Sequence, residues 1–225
     1  MEAEPAPLPK AVVLISGNGS NLQAIIDASS SGELPLDICA VISNVPDVKG
    51  LERAADAEIK THVIEHKKYP QRELFDVQLI RQINEYQPDI VILAGFMRIL
   101  SKDFVNQYLG KLVNIHPSLL PLYPGLNTHK RALENQDAEH GVTVHYVVPE
   151  LDAGPNIIQA KVDVSATETQ ESLAKKVQEQ EHIIYPIALK WMAEGRLSLD
   201  GNNVYLDSQE IPGSGLILDN KRTLH

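Results

Sequence analysis

Cysteine is nearly absent from this chain, with one in 225 residues. A single thiol forms no internal disulfide, so cross-linking plays no part in the fold. Cys39 lies in the apolar run DICAVIS and reads as a buried, inert thiol. No uninterrupted apolar stretch approaches the roughly 18 to 20 residues that cross a bilayer, which excludes a spanning helix. Positive charge is also short. The 20 Lys and Arg stand against 30 Asp and Glu, a formal net charge of −10, which argues against a broad nucleic-acid or anionic-membrane surface. An anionic ligand must then be met by a local pocket. The opening MEAEPAPLPK has no basic stretch leading into an apolar one, so residues 1–10 read as a flexible leader rather than a secretion signal, and the expected location is cytoplasmic.

What is present is an alternation of apolar runs with helical patterns, the signature of βαβ units on a parallel sheet. AVVLI, DICAVIS, THVIE, DIVILAG and KLVNIH read as successive strands. Between them stand helical patterns at SNLQAIIDASSSG, GLERAADA and residues 70–86, where Leu74, Val77, Ile80, Ile83 and Asn84 are expected along the inner side. Beyond residue 140, GVTVHYVV and NIIQAKVDV form a strand pair across the turn-rich PELDAGP, followed by a long helix over residues 169–194 and short strands in RLSLDGNNVYLDSQEI. The expectation is one α/β domain with a Rossmann-like, mostly parallel central sheet flanked by helices and an antiparallel C-terminal addition. Residues 11–200 form the body of this domain and 201–225 a strand and tail segment.

ISGNGSNLQA places Gly17 and Gly19 where the first strand passes into the first helix, at the carboxyl end of a strand where open α/β sheets bind ligands. The free N–H groups of Gly19, Ser20 and Asn21 suit a phosphate there. The third glycine of a dinucleotide fingerprint and the Lys-Ser/Thr of a P-loop are both missing. On the stretch alone, a tight turn with no ligand accounts for the glycines as well.

LVNIHPSLLPLYPG puts Asn114 and His116 two apart at the end of a strand, leaving on one face. A non-ionising amide donor and an imidazole suit a reaction that forms an oxyanion and moves a proton. A capping asparagine and a structural histidine are the plainer alternative. Asp152 lies in a Gly/Pro-rich loop, where it is either a turn residue or a carboxylate that orients His116. His129, His140 and His145 lack metal-ligand spacing, and no metal is expected.

ISGNGSNLQAI, LAGFMRIL, NIHPSLLP, HYVVPELDAGP and QEQEHIIYP, in this order, together resemble the phosphoribosylglycinamide formyltransferases, over about residues 11–199. The resemblance implies the formyltransferase fold and the passage of a formyl group from 10-formyltetrahydrofolate, the co-substrate, to glycinamide ribonucleotide. It implies that Gly19, Ser20 and Asn21 hold the 5′-phosphate, while Gln178 and Glu181 hold the ribose and glycinamide end. Met97, Arg98, Ile99 and Leu100 form the pterin wall, Arg72 lies near the folate glutamate, and the segment from Val148 to Asp152 closes on the pterin. Asn114, His116 and Asp152 are the catalytic residues on this resemblance, and Asn114 and Asp152 also touch the folate. The implied partners are the two small molecules, with neither nucleic acid nor membrane, and the chain acts as a monomer or a weak homodimer. Two relatives share the asparagine, histidine and aspartate. A methionyl-tRNA formyltransferase is expected to add a basic C-terminal domain, and a formyltetrahydrofolate deformylase an N-terminal regulatory one. A phosphometabolite sensor that kept the pocket would not need the intact catalytic set.

Overall fold

The computed structural model describes residues 7–218; residues 1–6 of the expected leader and 219–225 of the expected tail lie outside the described residues. The chain begins with β1 (Lys10–Ile15), α1 (Ser20–Ser30), β2 (Asp37–Ser43), α2 (Lys49–Asp56) and β3 (Lys60–Val63). It continues through α3 (Arg72–Asn84), β4 (Ile90–Leu93), α4 (Lys102–Gln107), β5 (Leu112–His116) and α5 (Thr128–Glu134). The remaining elements are β6 (Glu139–Tyr146), β7 (Asn156–Asp163), α6 (Gln170–Ala193), β8 (Leu197–Asp200), β9 (Asn203–Leu206), β10 (Gln209–Glu210) and β11 (Leu216–Leu218).

Among the described residues the main sheet runs in the order β11-β7-β6-β5-β4-β1-β2-β3, and β8, β9 and β10 form a separate small sheet. The strands from β3 across to β5 are parallel. Pairing turns antiparallel at β5–β6 and β6–β7, and β11 then joins β7 in parallel. Because β2 and β4 lie on opposite sides of β1, the chain reverses its direction across the sheet there. A crevice therefore opens at the carboxyl ends of β1 and β4, the place where such sheets take ligands.

Successive side chains of a strand point to opposite faces, so β1 feeds two cores. Val13 and Ile15 pack with Leu22 and Ile25 of α1 and with Val177, Ile184 and Leu189 of α6. Val12 and Leu14 pack with Phe75, Leu79 and Ile83 of α3 and with Phe104 of α4. The N-terminus of α6 is closed by a capping box in which Thr169 accepts from the Ser172 N–H. Tyr185, wholly buried on this helix, donates its hydroxyl to the Leu93 carbonyl at 2.9 Å, which ties α6 to the end of β4.

Two expectations are corrected. The inner face of α3 carries Phe75, Asp76, Leu79 and Ile83, whereas Leu74 and Val77 are exposed, Ile80 is half-buried and Asn84 is exposed. A stripe of every third residue drifts around a helix of 3.6 residues per turn, and the spacing one, four and eight of the observed set holds one face. Cys39 is half-buried rather than buried, near the start of β2. Burial and the neighbouring Asp37 push its thiol up to about 11, so it stays protonated.

Candidate active site

The turn after β1 is shaped by Gly19, which caps α1 in the left-handed conformation at φ 71. A Cβ there would meet the Gly50 Cα at 2.7 Å, so glycine is needed both for the backbone and for the close approach of α2. The first-turn N–H groups of α1 have no partner within a helix and face the crevice end of the sheet. Gln178 Nε2 donates to Ser20 Oγ at 3.0 Å, and Asn21 Nδ2 donates to Glu181 Oε2 at 2.8 Å. The four residues expected on the ribonucleotide side beyond Gly19 are thus brought together across 158 and 160 residues of sequence. Burial raises the Glu181 carboxyl above its ordinary value, and the Asn21 bond opposes that shift.

On the far side of the crevice the loop after β4 is tied to β1 by the Met97 N–H, which donates to Ser16 Oγ at 2.7 Å. Arg98, Ile99 and Leu100 line a cavity of about 120 Å³ together with Asn114, His145 and the loop from Val148 to Asp152. Met97 is 71% exposed and lies outside that lining. Arg72 also lies outside it, exposed at the start of α3 with its guanidinium 3.3 Å from Glu73 Oε1.

Asn114 and His116 project from one face of β5. Antiparallel register sets Asn114 opposite His145 of β6, a close cross-strand pair. His145 is buried, and burial pushes its imidazole down to about 4, so the ring is neutral at pH 7. Its Nδ1 lies 2.9 Å from the Tyr146 carbonyl, to which it must donate, leaving Nε2 as an acceptor for the Asn114 Nδ2 at 3.3 Å. That contact fixes which way the asparagine amide faces and leaves its second N–H free. His145 is a site residue that its place in the sequence did not reveal.

Asp152 adopts φ 50 in its loop, and Gly154 beside it has no room for a Cβ, which would fall 1.7 Å from the Tyr146 carbonyl. The loop is therefore pressed against the end of β6. Asp152 Oδ2 accepts from the Gly125 N–H at 2.8 Å and lies 3.5 Å from His116 Nδ1, while Oδ1 lies 3.9 Å from His145 Nε2. His116 Nε2 donates to the Tyr123 carbonyl at 2.9 Å. Both His116 nitrogens thus face oxygen acceptors. Elsewhere His129 and His140 meet at 3.1 Å, and burial drives His140 down to about 4. Among the described residues no group of three or more His, Cys, Asp or Glu is placed to hold a metal ion.

Comparison with known proteins settles the family. The formyl transferase family model matches residues 9–189. A phosphoribosylglycinamide formyltransferase of Escherichia coli K12 is 54% identical over 208 residues, covering 92% of this chain and 98% of that one. This chain belongs to the phosphoribosylglycinamide formyltransferase family. The solved phosphoribosylglycinamide formyltransferase of Coxiella burnetii is 51% identical and superposes with a TM-score of 0.91, over 94% of this chain and 100% of that one. A formyltetrahydrofolate deformylase from Pseudomonas syringae is 28% identical, with a TM-score of 0.83 over 89% of this chain and 66% of that one. The Rossmann-like formyltransferase fold expected from the sequence is the fold observed.

Proposed function

We propose that the protein transfers the formyl group of 10-formyltetrahydrofolate to the amino group of glycinamide ribonucleotide, giving N-formylglycinamide ribonucleotide and tetrahydrofolate in purine biosynthesis. The observation that carries the reading is the meeting of an amide, two imidazoles and a carboxylate where β5 and β6 pair, with Asn114, His145 and Asp152 lining the cavity at Val148–Asp152. The turn holds the 5′-phosphate through Gly19, Ser20 and Asn21, and Gln178 and Glu181 meet the ribose and glycinamide end. The pterin enters along Arg98, Ile99 and Leu100, with Met97 at the mouth. Arg72, whose exposed ion pair with Glu73 is weakly held, is available for the glutamate carboxylate.

The neutral amine attacks the formyl carbon, forming the new C–N bond and turning the carbonyl oxygen into an oxyanion. The free N–H of Asn114 and the His116 Nε2–H, released from the Tyr123 carbonyl, stabilise that charge. Asp152 holds His116 from the Nδ1 side. Collapse breaks the bond from the formyl carbon to the folate nitrogen, and the proton lost by the attacking nitrogen ends on the leaving one.

Among the described residues no helix is long and apolar enough to cross a membrane. The two small molecules are the partners in this reading, and the protein works in the cytoplasm as a monomer or a weak homodimer. The deciding experiment supplies 10-formyltetrahydrofolate with glycinamide ribonucleotide, with initiator methionyl-tRNA or with water alone. Tetrahydrofolate is expected only with the ribonucleotide. Release with water alone would make the protein a deformylase, and no release with any acceptor would make it a binding protein.

A further inference from the structure

Two residues of helix α2 grip the glycine turn. The Gly50 N–H, a first-turn donor with no partner inside α2, donates to the Gly17 carbonyl at 3.0 Å. Arg53 Nε donates to the Asn18 carbonyl at 2.9 Å, and its Nη1 donates to Gln23 Oε1 on α1 at 3.0 Å. A trans peptide directs its C=O and N–H oppositely. Anchoring the carbonyls of Gly17 and Asn18 on α2 therefore turns the N–H groups of Asn18 and Gly19 away from α2. Successive amides turned the same way form a concavity for an anion. Contact is tight as well, since a Cβ on Gly50 would lie 2.5 Å from Ile15 Cδ1 and 3.0 Å from the Gly17 carbonyl. Half-buried Arg53 also brings positive charge to the first turn of α1, where it bonds Gln23.

We infer that Arg53 is a positioning residue for the substrate phosphate, setting the orientation of the turn's amides through its bond to the Asn18 carbonyl. The inference rests on the proposed placement of the 5′-phosphate at this turn. It makes Arg53 matter for the phosphate and for nothing else in the substrate.

The test compares wild type, Arg53→Met and Arg53→Lys on glycinamide ribonucleotide and on the dephosphorylated glycinamide riboside. Arg53→Met keeps much of the apolar stem and removes both donors. It is expected to raise KM for the ribonucleotide at least tenfold, the size of one charge-assisted hydrogen bond, with kcat and the folate KM within twofold of wild type. With the riboside, wild type and variant should give equal kcat/KM, because no phosphate is there to be held. Arg53→Lys, which keeps the charge and one donor, should fall between them. An equal loss on both substrates, with the circular dichroism and folate KM of wild type, would make Arg53 a general structural residue and overturn the inference, as would no loss on either. If wild type itself does not prefer the ribonucleotide to the riboside, the phosphate placement is wrong and the inference falls with it.

Discussion

The two sides of the crevice are made of different materials. At the end of β1 the donors are backbone amides set by a left-handed glycine and the start of a helix, and the side chains around them are paired to one another. At the end of β5 the groups are side chains, three of them titratable, and they come from β5, β6 and the loop at Asp152. The sheet itself changes character between these places, from parallel at β1 to antiparallel at β5–β6. Parallel βα units present helix N-termini, which bind an anion with fixed dipoles and need no proton. Antiparallel pairing sets side chains of neighbouring strands directly opposite one another, which is what a proton transfer needs. On the proposed function, binding and chemistry fall on separate and separately breakable structures.

The largest expected effect is on the chemical side. Asn114→Ala should reduce turnover by roughly 10²-fold or more, with affinities for both substrates within a few fold, as for a donor aimed at an oxyanion that exists only in the transition state. Steady-state kinetics beside calorimetry reads both quantities, and unchanged turnover would remove Asn114 from the mechanism. The next effect belongs to the other side. Gly19→Val faces both a φ of 71 and a Cβ contact of 2.7 Å to Gly50, so glycinamide ribonucleotide binding should weaken at least tenfold and folate binding much less. Equal losses for the two ligands in a folded variant would show that the turn is only structural.

The smallest effect is a difference in pH response. The folded pKa of His145, about 4, lies below its unfolded value of 6.5, so on acidification the unfolded chain takes up the proton first. Stability should therefore fall as pH drops from 6.5 to 4. His140, lowered to about 4 as well, adds a slope of the same sign. Glu181 has a raised pKa and gives the opposite sign, its contribution being lost as pH rises through the folded value. Urea unfolding across this range should show a shallower slope for His145→Gln and a steeper acid loss for Glu181→Gln. Parallel curves for all three proteins would contradict the burial of these groups.

Much of this arrangement is legible in the sequence because it is local. The β1–α1 turn, the alternation of Asn114 with His116 and the three-residue step from Gln178 to Glu181 each depend on a few neighbouring residues. What was not legible depends on register or on depth. His145 meets Asn114 only because β5 and β6 pair so that the two stand opposite, a fact no spacing along the chain contains. Arg53 meets the Asn18 carbonyl across 35 residues for the same kind of reason. The α3 face is not legible because two stripes of the helix carry large apolar residues, and only packing against β1 and β4 chooses Phe75 and Leu79 over Leu74 and Val77. Cys39 sits in an apolar run, but near the start of its strand, where burial is still partial.

The separation of chemistry from binding is tested most directly in one variant, Asp152→Asn, with turnover and ribonucleotide affinity measured on the same preparation. The substitution keeps the side chain's size and removes the charge that faces His116 Nδ1 at 3.5 Å and His145 at 3.9 Å. Turnover should fall by roughly 10²-fold or more, the usual weight of positioned proton transfer, while calorimetry gives glycinamide ribonucleotide an affinity within a few fold of wild type. Preserved turnover, or a loss of ribonucleotide affinity equal to the loss of turnover, would contradict the account.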